Sequence, residues 1–331
     1  MAVLRGLLSL FYQTACRITN RLYAWGVRRS VRAPLPVVSV GNISFGGTEK
    51  TPLAIDLLSR LRELGLKPAI VSRGYKGGWE RAGGVVSDGH GLRTDWREAG
   101  DEPALVGRKV PGAGVFVGKR RLDSCRKAHE LGFRVAVLDD GFQHRRLHRD
   151  LDIVLVNPAG RPVLREPLSS LARADLVLVR NGRGAERIGR FLTADKILAY
   201  RVRPDGYARP GANETLPSEF GRGKRVFAFC GIARPERFFE LLEQSGALIR
   251  GRRALPDHCA YPPRSRRRLR AEFEASGAEL AVTTEKDAIK LDPPGEFLAG
   301  FPIYALKIKT EAAAPFYERV QAALKPFFPE L

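Results

Sequence analysis

Residues Leu35 to Leu64 read LPVVSVGNISFGGTEKTPLAIDLLSRLREL. Leu35 to Val40 is a short, almost unbroken apolar run, the pattern of a strand buried on both faces of a parallel sheet. From Lys50 onward, Leu53, Leu57, Leu58, Leu61 and Leu64 recur at helical spacing. Between the two lies GNISFGGTEKT. A glycine-bearing loop that leaves a strand and enters a helix suits a phosphate cradle, because backbone amides and the positive end of the helix dipole face the anion. In such a cradle Gly46, Gly47, Thr48, Glu49, Lys50 and Thr51 form the nucleotide loop. Lys50 reaches the β- and γ-phosphates of ATP and Thr51 ligates Mg2+. The strict pattern G-x-x-x-x-G-K-[ST] is broken, since it begins at Ser44 and puts Glu49 where the last glycine belongs. A carboxylate there repels a triphosphate unless it turns to solvent or to a basic neighbour. The other reading of the segment is an ordinary strand-to-helix turn with a helix-starting Lys-Thr-Pro.

Outward from this loop, strands and helices alternate. Arg134 to Leu138 is a second buried-strand pattern and ends in Asp139-Asp140-Gly141-Phe142-Gln143-His144. An acid at the carboxyl end of a parallel strand beside a phosphate loop can hold Mg2+, although Asp-Asp-Gly alone also describes a turn. Gly100-Asp101-Glu102-Pro103 opens a helix over Glu102 to Gly107, with Asp101 as its expected N-cap. Farther on come the strand Arg225 to Phe229, a helix from Pro235 to Ser245, Leu255-Pro256-Asp257-His258, a helix near Arg264 to Ser276, and the strand Leu280 to Thr283. Thr284-Glu285-Lys286-Asp287 follows. A lone histidine such as His258 is usually structural, and a TTEKD string by itself usually begins a helix. The alternation predicts an α/β fold built on a parallel sheet.

Composition sets the outer limits. The chain has 331 residues and a net charge of +20, enough for one large or two modest domains and basic enough to attract nucleic acid, anionic lipid or a phosphorylated substrate. No nucleic-acid module is recognisable, and nucleic acid is not expected as a partner. The four cysteines lie far apart without zinc-ligand spacing, which fits a reducing compartment.

No acid precedes Glu49, whereas six arginines lie between Arg5 and Arg32. The longest uncharged run there, Gly6 to Cys16, falls well short of the roughly 20 residues needed to cross a bilayer. On a helix, Leu4, Leu7, Leu8, Phe11, Ala15, Ile18, Leu22 and Trp25 share one stripe, with Arg17, Arg21 and Arg28 expected on the opposite side. Residues 1–30 therefore suit an amphipathic interfacial anchor on an anionic membrane surface. A helix packed by its apolar stripe on its own domain is the alternative, and a signal peptide the third reading.

In order along the chain, GNISFGGTEKTP, SRGY at Ser72, GDEP at Gly100, LDDGFQHR at Leu138, LREP at Leu164, FCGIARPERF at Phe229, LPDH at Leu255 and TTEKDAIKL at Thr283 resemble the tetraacyldisaccharide 4'-kinase family. The resemblance covers nearly the whole chain and implies a fold similar to P-loop kinases. It implies an amino-terminal helix over 1–30, a nucleotide-binding kinase domain over 31–215 and a smaller α/β domain over 216–331, with the active site between the two domains. It further implies ATP-dependent phosphorylation of the 4'-hydroxyl of tetraacyldisaccharide 1-phosphate, giving the lipid A precursor lipid IVA, by a peripheral enzyme at the cytoplasmic face of the inner membrane. Carried over by position, Lys50 and Thr51 serve the triphosphate and Mg2+, and Asp139 and Asp140 are the metal-site acids. Gln143 assists at the metal or substrate, and Asp101 is the catalytic acid-base residue with His258 paired to it. Two residues depart from the family pattern: Glu49, and Cys259 where a second histidine often stands. A membrane-bound lipid-binding or scaffold protein of the same fold, catalytically weak because of Glu49, is the competing reading.

Overall fold

Apolar strands of four to six residues, separated by amphipathic helices, can bury both faces only inside a layered sheet. The computed structural model describes residues 2–157, 163–212, 214–291 and 300–331, with backbone only for residues 2–12. By contacts it divides into two compact units, Met1–Arg201 with Thr310–Leu331, and Val202–Lys309. The sequence reading placed the division after residue 215. The chain passes between the units within two long strands, β8 (Ile197–Ala208) and β12 (Ile303–Ala312).

The first unit begins with helix α1 (Ala2–Ala24). Its strands are β1 (Val37–Asn42), β2 (Pro68–Ser72), β3 (Gly84–Asp88), β4 (Gly114–Val117), β5 (Val135–Asp139), β6 (Leu151–Val156), β7 (Leu176–Arg180) and the start of β8. Spatially they run β8-β7-β6-β1-β5-β2-β4-β3, parallel throughout except for β3 against β4. Every residue of β1, β2, β4, β5 and β6 is buried. Helices α2 (Lys50–Glu63), α3 (Trp96–Ala99), α4 (Asp101–Lys109) and α5 (Arg121–Glu130) cross between the strands, and the carboxy-terminal α9 (Pro315–Leu324) returns to this unit. The expected helices at Lys50 and Asp101 are both present. The N-cap of α4, however, is Gly100 at φ 88°, and Asp101 is the first helical residue, a backbone conformation that favours glycine.

Register aligns the functional segments. Val40 lies beside Asp139, and Ser72 beside Val117. The loops after β1, β5, β2 and β4 therefore leave the sheet from one edge, in that spatial order. Ligands of open α/β sheets bind outside such carboxyl ends.

The second unit contains β9 (Arg225–Cys230), α6 (Pro235–Gln244), β10 (Leu248–Ala254), α7 (Pro263–Ser276), β11 (Leu280–Thr284), the short α8 (Glu285–Ala288) and β12. Parallel pairs run β10 to β9, β9 to β11 and β11 to β12. Phe227, Phe229, Tyr261, Leu269, Ala281, Leu291, Phe301 and Ile303 form its core.

Candidate active site

The glycine-bearing loop connects β1 to α2 as its sequence requires. Asn42 Nδ2 donates to Thr48 Oγ1 at 2.8 Å, which ties the end of the strand to the end of the loop. Gly46 adopts φ 87°, and Glu49 is left-handed at φ 58° immediately before the helix. Most side chains avoid that conformation, and a glycine would occupy it freely. The Glu49 carboxylate is held by two residues paired across neighbouring strands, Arg180 at the end of β7 and Tyr200 within β8. Arg180 Nη1 donates to Oε1 at 2.6 Å and the Tyr200 hydroxyl to Oε2 at 3.2 Å. Tyr200 also lies 3.3 Å from the carbonyl oxygen of Thr48. The acid that breaks the loop pattern is thus bound to a basic neighbour.

Lys50, the first residue of α2, points back toward β5, with Nζ 3.2 Å from Asp140 Oδ1. Arg165 Nη1 lies 2.9 Å from the other Asp140 oxygen. Burial opposes ionisation of Asp140, but Lys50 and Arg165 outweigh it and hold its carboxyl down to about 2. Asp139 differs. Its burial, the charge of Glu102 and that of Asp140 raise its carboxyl above the usual range, against the pull of Lys50 and Arg121. Ser72 Oγ donates to Asp139 Oδ2 at 3.3 Å, while Oδ1 is buried without a hydrogen-bond partner among the described residues. A buried carboxylate whose negative charge is disfavoured and whose oxygen lacks a donor has the chemistry of a ligand to a hard cation. No cluster of three or more His, Cys, Asp or Glu side chains suited to a metal occurs among the described residues. Mg2+ needs none, because it takes one or two carboxylates together with substrate phosphates and water.

Asp101 is buried at the start of α4, and its Oδ1 accepts from the Glu102 amide at 3.0 Å. A Cβ on Gly100 would lie 3.2 Å from the Tyr75 carbonyl oxygen, so this helix start adjoins the loop that follows β2, and Ser72 at the end of β2 bonds Asp139. Gln143 donates through Nε2 to the Asn42 carbonyl at 2.8 Å and to Glu166 Oε1 at 3.0 Å. Glu166 is itself buried and paired with Arg173 at 2.6 Å.

His258 lies in the second unit, in a loop between β10 and α7. Its backbone is left-handed at φ 63°, its amide donates to the Gly231 carbonyl at 3.0 Å, and Nε2 is 3.8 Å from Asp257 Oδ2. The Thr283–Asp287 segment supports the same turn. Asp287 is fully buried, accepts from the Gly231 amide at 3.0 Å and from Thr284 Oγ1 at 2.6 Å, and pairs with buried Lys290 at 2.9 Å. Cys259 follows His258 and is half-buried, with its amide on the Pro256 carbonyl.

The structure therefore brings together Lys50, Asp139, Asp140 and the start of α4 in one unit, and sets His258 on a braced loop in the other. Sequence reasoning missed Arg165, Glu102, Arg121, Arg180 and Tyr200. Glu102 follows Asp101 in GDEP, where the N-cap position carried the signal, and Arg165 lies in LREP, which carried only the family resemblance. Arg180 carried a weak signal, as a lone cation closing the apolar run Leu176–Val179 in a chain with one unmatched acid in its phosphate loop.

A family model described as tetraacyldisaccharide-1-P 4'-kinase matches residues 1–325. The chain belongs to this family. Among its relatives is a tetraacyldisaccharide 4'-kinase of Anaeromyxobacter dehalogenans strain 2CP-C, 40% identical over 319 residues, covering 91% of this chain and 84% of the relative. A tetraacyldisaccharide 4'-kinase of Desulfotalea psychrophila is 35% identical over 337 residues, covering 95% and 94%. The crystal structure of LpxK from Aquifex aeolicus in complex with ATP superposes with a TM-score of 0.79 at 30% identity, covering 98% of this chain and 99% of that one.

Proposed function

We infer that the protein transfers the γ-phosphate of ATP to the 4'-hydroxyl of tetraacyldisaccharide 1-phosphate, the step of lipid A biosynthesis that gives lipid IVA. The observation that carries this reading is the convergence of Lys50, Asp139 and Asp140 at the carboxyl ends of β1 and β5, in a chain matched to the kinase family along residues 1–325. The loop amides and the amino end of α2 bind the polyphosphate, and Lys50 leaves Asp140 to neutralise the β- and γ-oxygens. Thr51, Asp139 and Asp140 would hold Mg2+, whose charge offsets that gathering on the transferred phosphoryl group. Gln143 has its amide nitrogen committed to Asn42 and Glu166, so its carboxamide oxygen is the group it would offer to metal or substrate.

A sugar hydroxyl is a weak nucleophile until positioned and relieved of its proton. Asp101 accepts that proton as the sugar oxygen bonds to the γ-phosphorus and the bond to the β,γ-bridging oxygen breaks, leaving ADP. His258 assists Asp101, an assignment that rests on its place in the family motif. Lys50→Ala and Asp101→Ala should both abolish transfer of label from ATP to tetraacyldisaccharide 1-phosphate in detergent micelles with Mg2+. ATP affinity should fall mainly in the lysine variant. Equal loss of ATP binding in both would overturn this division of roles.

The enzyme works from the membrane surface, where its acylated acceptor resides. No helix among the described residues is long and apolar enough to cross a bilayer. Helix α1 instead leaves Ile18 56% exposed, and Trp25, one residue past its end, is 70% exposed, apolar side chains suited to lying among acyl chains.

A further inference from the structure

Two residues of the loop between β10 and α7 hold their backbone in the left-handed region, His258 at φ 63° and Tyr261 at φ 53°. Neither is glycine, so each is strained and persists only because its surroundings fix it. Both sets of fixing contacts lead to one buried ion pair. The loop is tied to the end of β9 at two points, where the Leu255 amide donates to the Cys230 carbonyl at 2.8 Å and the His258 amide to the Gly231 carbonyl at 3.0 Å. The Gly231 amide in turn donates to Asp287 Oδ2 at 3.0 Å. One glycine therefore stands between the Asp287 carboxylate and the backbone of His258. Tyr261 is buried, with the Lys290 ammonium 5.5 Å from its ring centre. Burial, and then the charge of Asp287, push its hydroxyl well above the usual range.

Asp287 and Lys290 are themselves buried, with Nζ 2.9 Å from Asp287 Oδ1. Desolvation of both charges offsets much of their attraction, so a neutral pair of similar volume can stabilise a fold as well. What this pair adds is geometry, because each carboxylate oxygen has its own partners. Oδ2 takes Gly231 and also the Thr284 hydroxyl at 2.6 Å, and Thr284 Oγ1 accepts from the Asp287 amide at 3.1 Å, capping α8. Strand register delivers the carboxylate to this place. Val282 of β11 lies beside Ala228 of β9, so the chain leaving β11 at Thr284 turns into α8 next to the end of β9. Space there is tight: a Cβ on Gly231 would lie 3.1 Å from Cys259 Cβ and from the Pro256 carbonyl oxygen, and 3.2 Å from Asp287 Oδ1. Gly231 is thus wedged between the loop and the carboxylate.

We propose that Asp287 and Lys290 are positioning residues for phosphoryl transfer, which through Gly231 and Tyr261 hold the His258 loop in its strained form and so set where the imidazole stands. This rests on the kinase reading above, which gives His258 its part in the reaction. Two variants of the full chain test it. Asp287→Asn/Lys290→Met removes both charges and leaves neither buried alone, whereas Gly231→Ala keeps the pair and forces its neighbours to give by a few tenths of an ångström. Transfer from ATP to tetraacyldisaccharide 1-phosphate is followed in detergent micelles with Mg2+, and the imidazole resonances are recorded on protein isotope-labelled at its five histidines. In both variants kcat should fall roughly tenfold or more, since misplacing a reacting group by about 1 Å can cost about a hundredfold. The KM values for ATP and acceptor should stay within about twofold of the parent's. The His258 resonances should shift while those of His90, His129, His144 and His148 stay in place. Should the double variant not fold, Gly231→Ala decides alone. Folded variants with the parent's kcat, or with a lowered kcat and unmoved His258 resonances, overturn the proposal. A change confined to the KM for ATP also overturns it, by assigning the turn to the nucleotide. A parent that transfers no phosphate overturns the kinase reading instead, and the imidazole resonances, which need no turnover, still show whether the pair places His258.

Discussion

Glu49 stands beside Lys50, the residue proposed to reach the triphosphate, and its carboxylate is bound by Arg180 and Tyr200. The pair converts a repulsive charge into part of the loop's support. The left-handed backbone at φ 58° is the remaining cost, about 1–3 kcal/mol for a non-glycine residue. Glu49→Gly removes acid and strain together, so the enzyme should stay active and bind ATP as tightly as the parent or more so. Arg180→Met should do the opposite, since it removes the cation bound to the Glu49 carboxylate and leaves its charge less well neutralised beside the proposed phosphate site. ATP should bind roughly tenfold more weakly, about 1.4 kcal/mol, and the double variant Glu49→Gly/Arg180→Met should recover most of that loss. Nucleotide titrations on the three proteins check this, and a double variant as weak as Arg180→Met would show that the arginine serves the nucleotide by another route.

Among the secondary-structure elements, those that carry the site were legible from sequence, because strands buried on both faces read as apolar runs. Val37–Asn42, Val135–Asp139, Arg225–Cys230 and Leu280–Thr284 fell where the runs predicted, with ends shifted by a residue or two. The long strands β8 and β12 were not legible. β8 alternates between exposed and buried only over Ala199–Arg203 and β12 is continuously buried only over Ile303–Leu306, so each pattern is shorter than its strand and neither announces the passage between units. β10 alternates between exposed and half-buried and reads as a basic loop. Nor could sequence show that Asp287 in TTEKD is a fully buried charge, since helix starts usually display such acids to solvent. Its pairing with Lys290 gives a stability prediction. Lys290→Met leaves a buried carboxylate without its cation and should lower unfolding stability by about 3–5 kcal/mol. Adding Asp287→Asn should restore part of that. Urea unfolding of both variants decides, and a loss under about 1 kcal/mol for Lys290→Met would mean that the bonds from Gly231 and Thr284 hold the aspartate alone.

For the molecule as a whole the open matter is how a chain with +20 net charge meets an acylated substrate, and α1 carries the argument. Of the apolar stripe, the side chains of Leu4, Leu7, Leu8 and Phe11 lie outside the described residues, but Ile18 and Trp25 are exposed. The helix docks through its other side. Gln13 reaches the Leu164 carbonyl at 3.5 Å, Asn20 donates to Glu166 at 2.7 Å and takes Arg145 on its carbonyl oxygen at 2.9 Å, and Tyr23 lies under the Arg145 guanidinium. Positions 13, 20 and 23 share a face at helical spacing, opposite the apolar stripe. At about 100° per residue Arg17 and Arg21 flank the stripe rather than oppose it, Arg28 lies beyond the end of the helix, and all three are exposed. Such a helix offers apolar side chains and cations to the same bilayer surface. Replacing Ile18 and Trp25 by Ser should weaken vesicle binding by the lost apolar burial, about 25 cal/mol per Å². Replacing Arg17, Arg21 and Arg28 by Gln should remove about 1 kcal/mol per charge on anionic vesicles and make binding less sensitive to salt. Neither set touches the phosphate loop, so both proteins should bind ATP like the parent. Vesicle sedimentation at low and high salt separates the two contributions. If both variants sediment as the parent does at each salt concentration, α1 is not the membrane contact and the acceptor reaches the site by another surface.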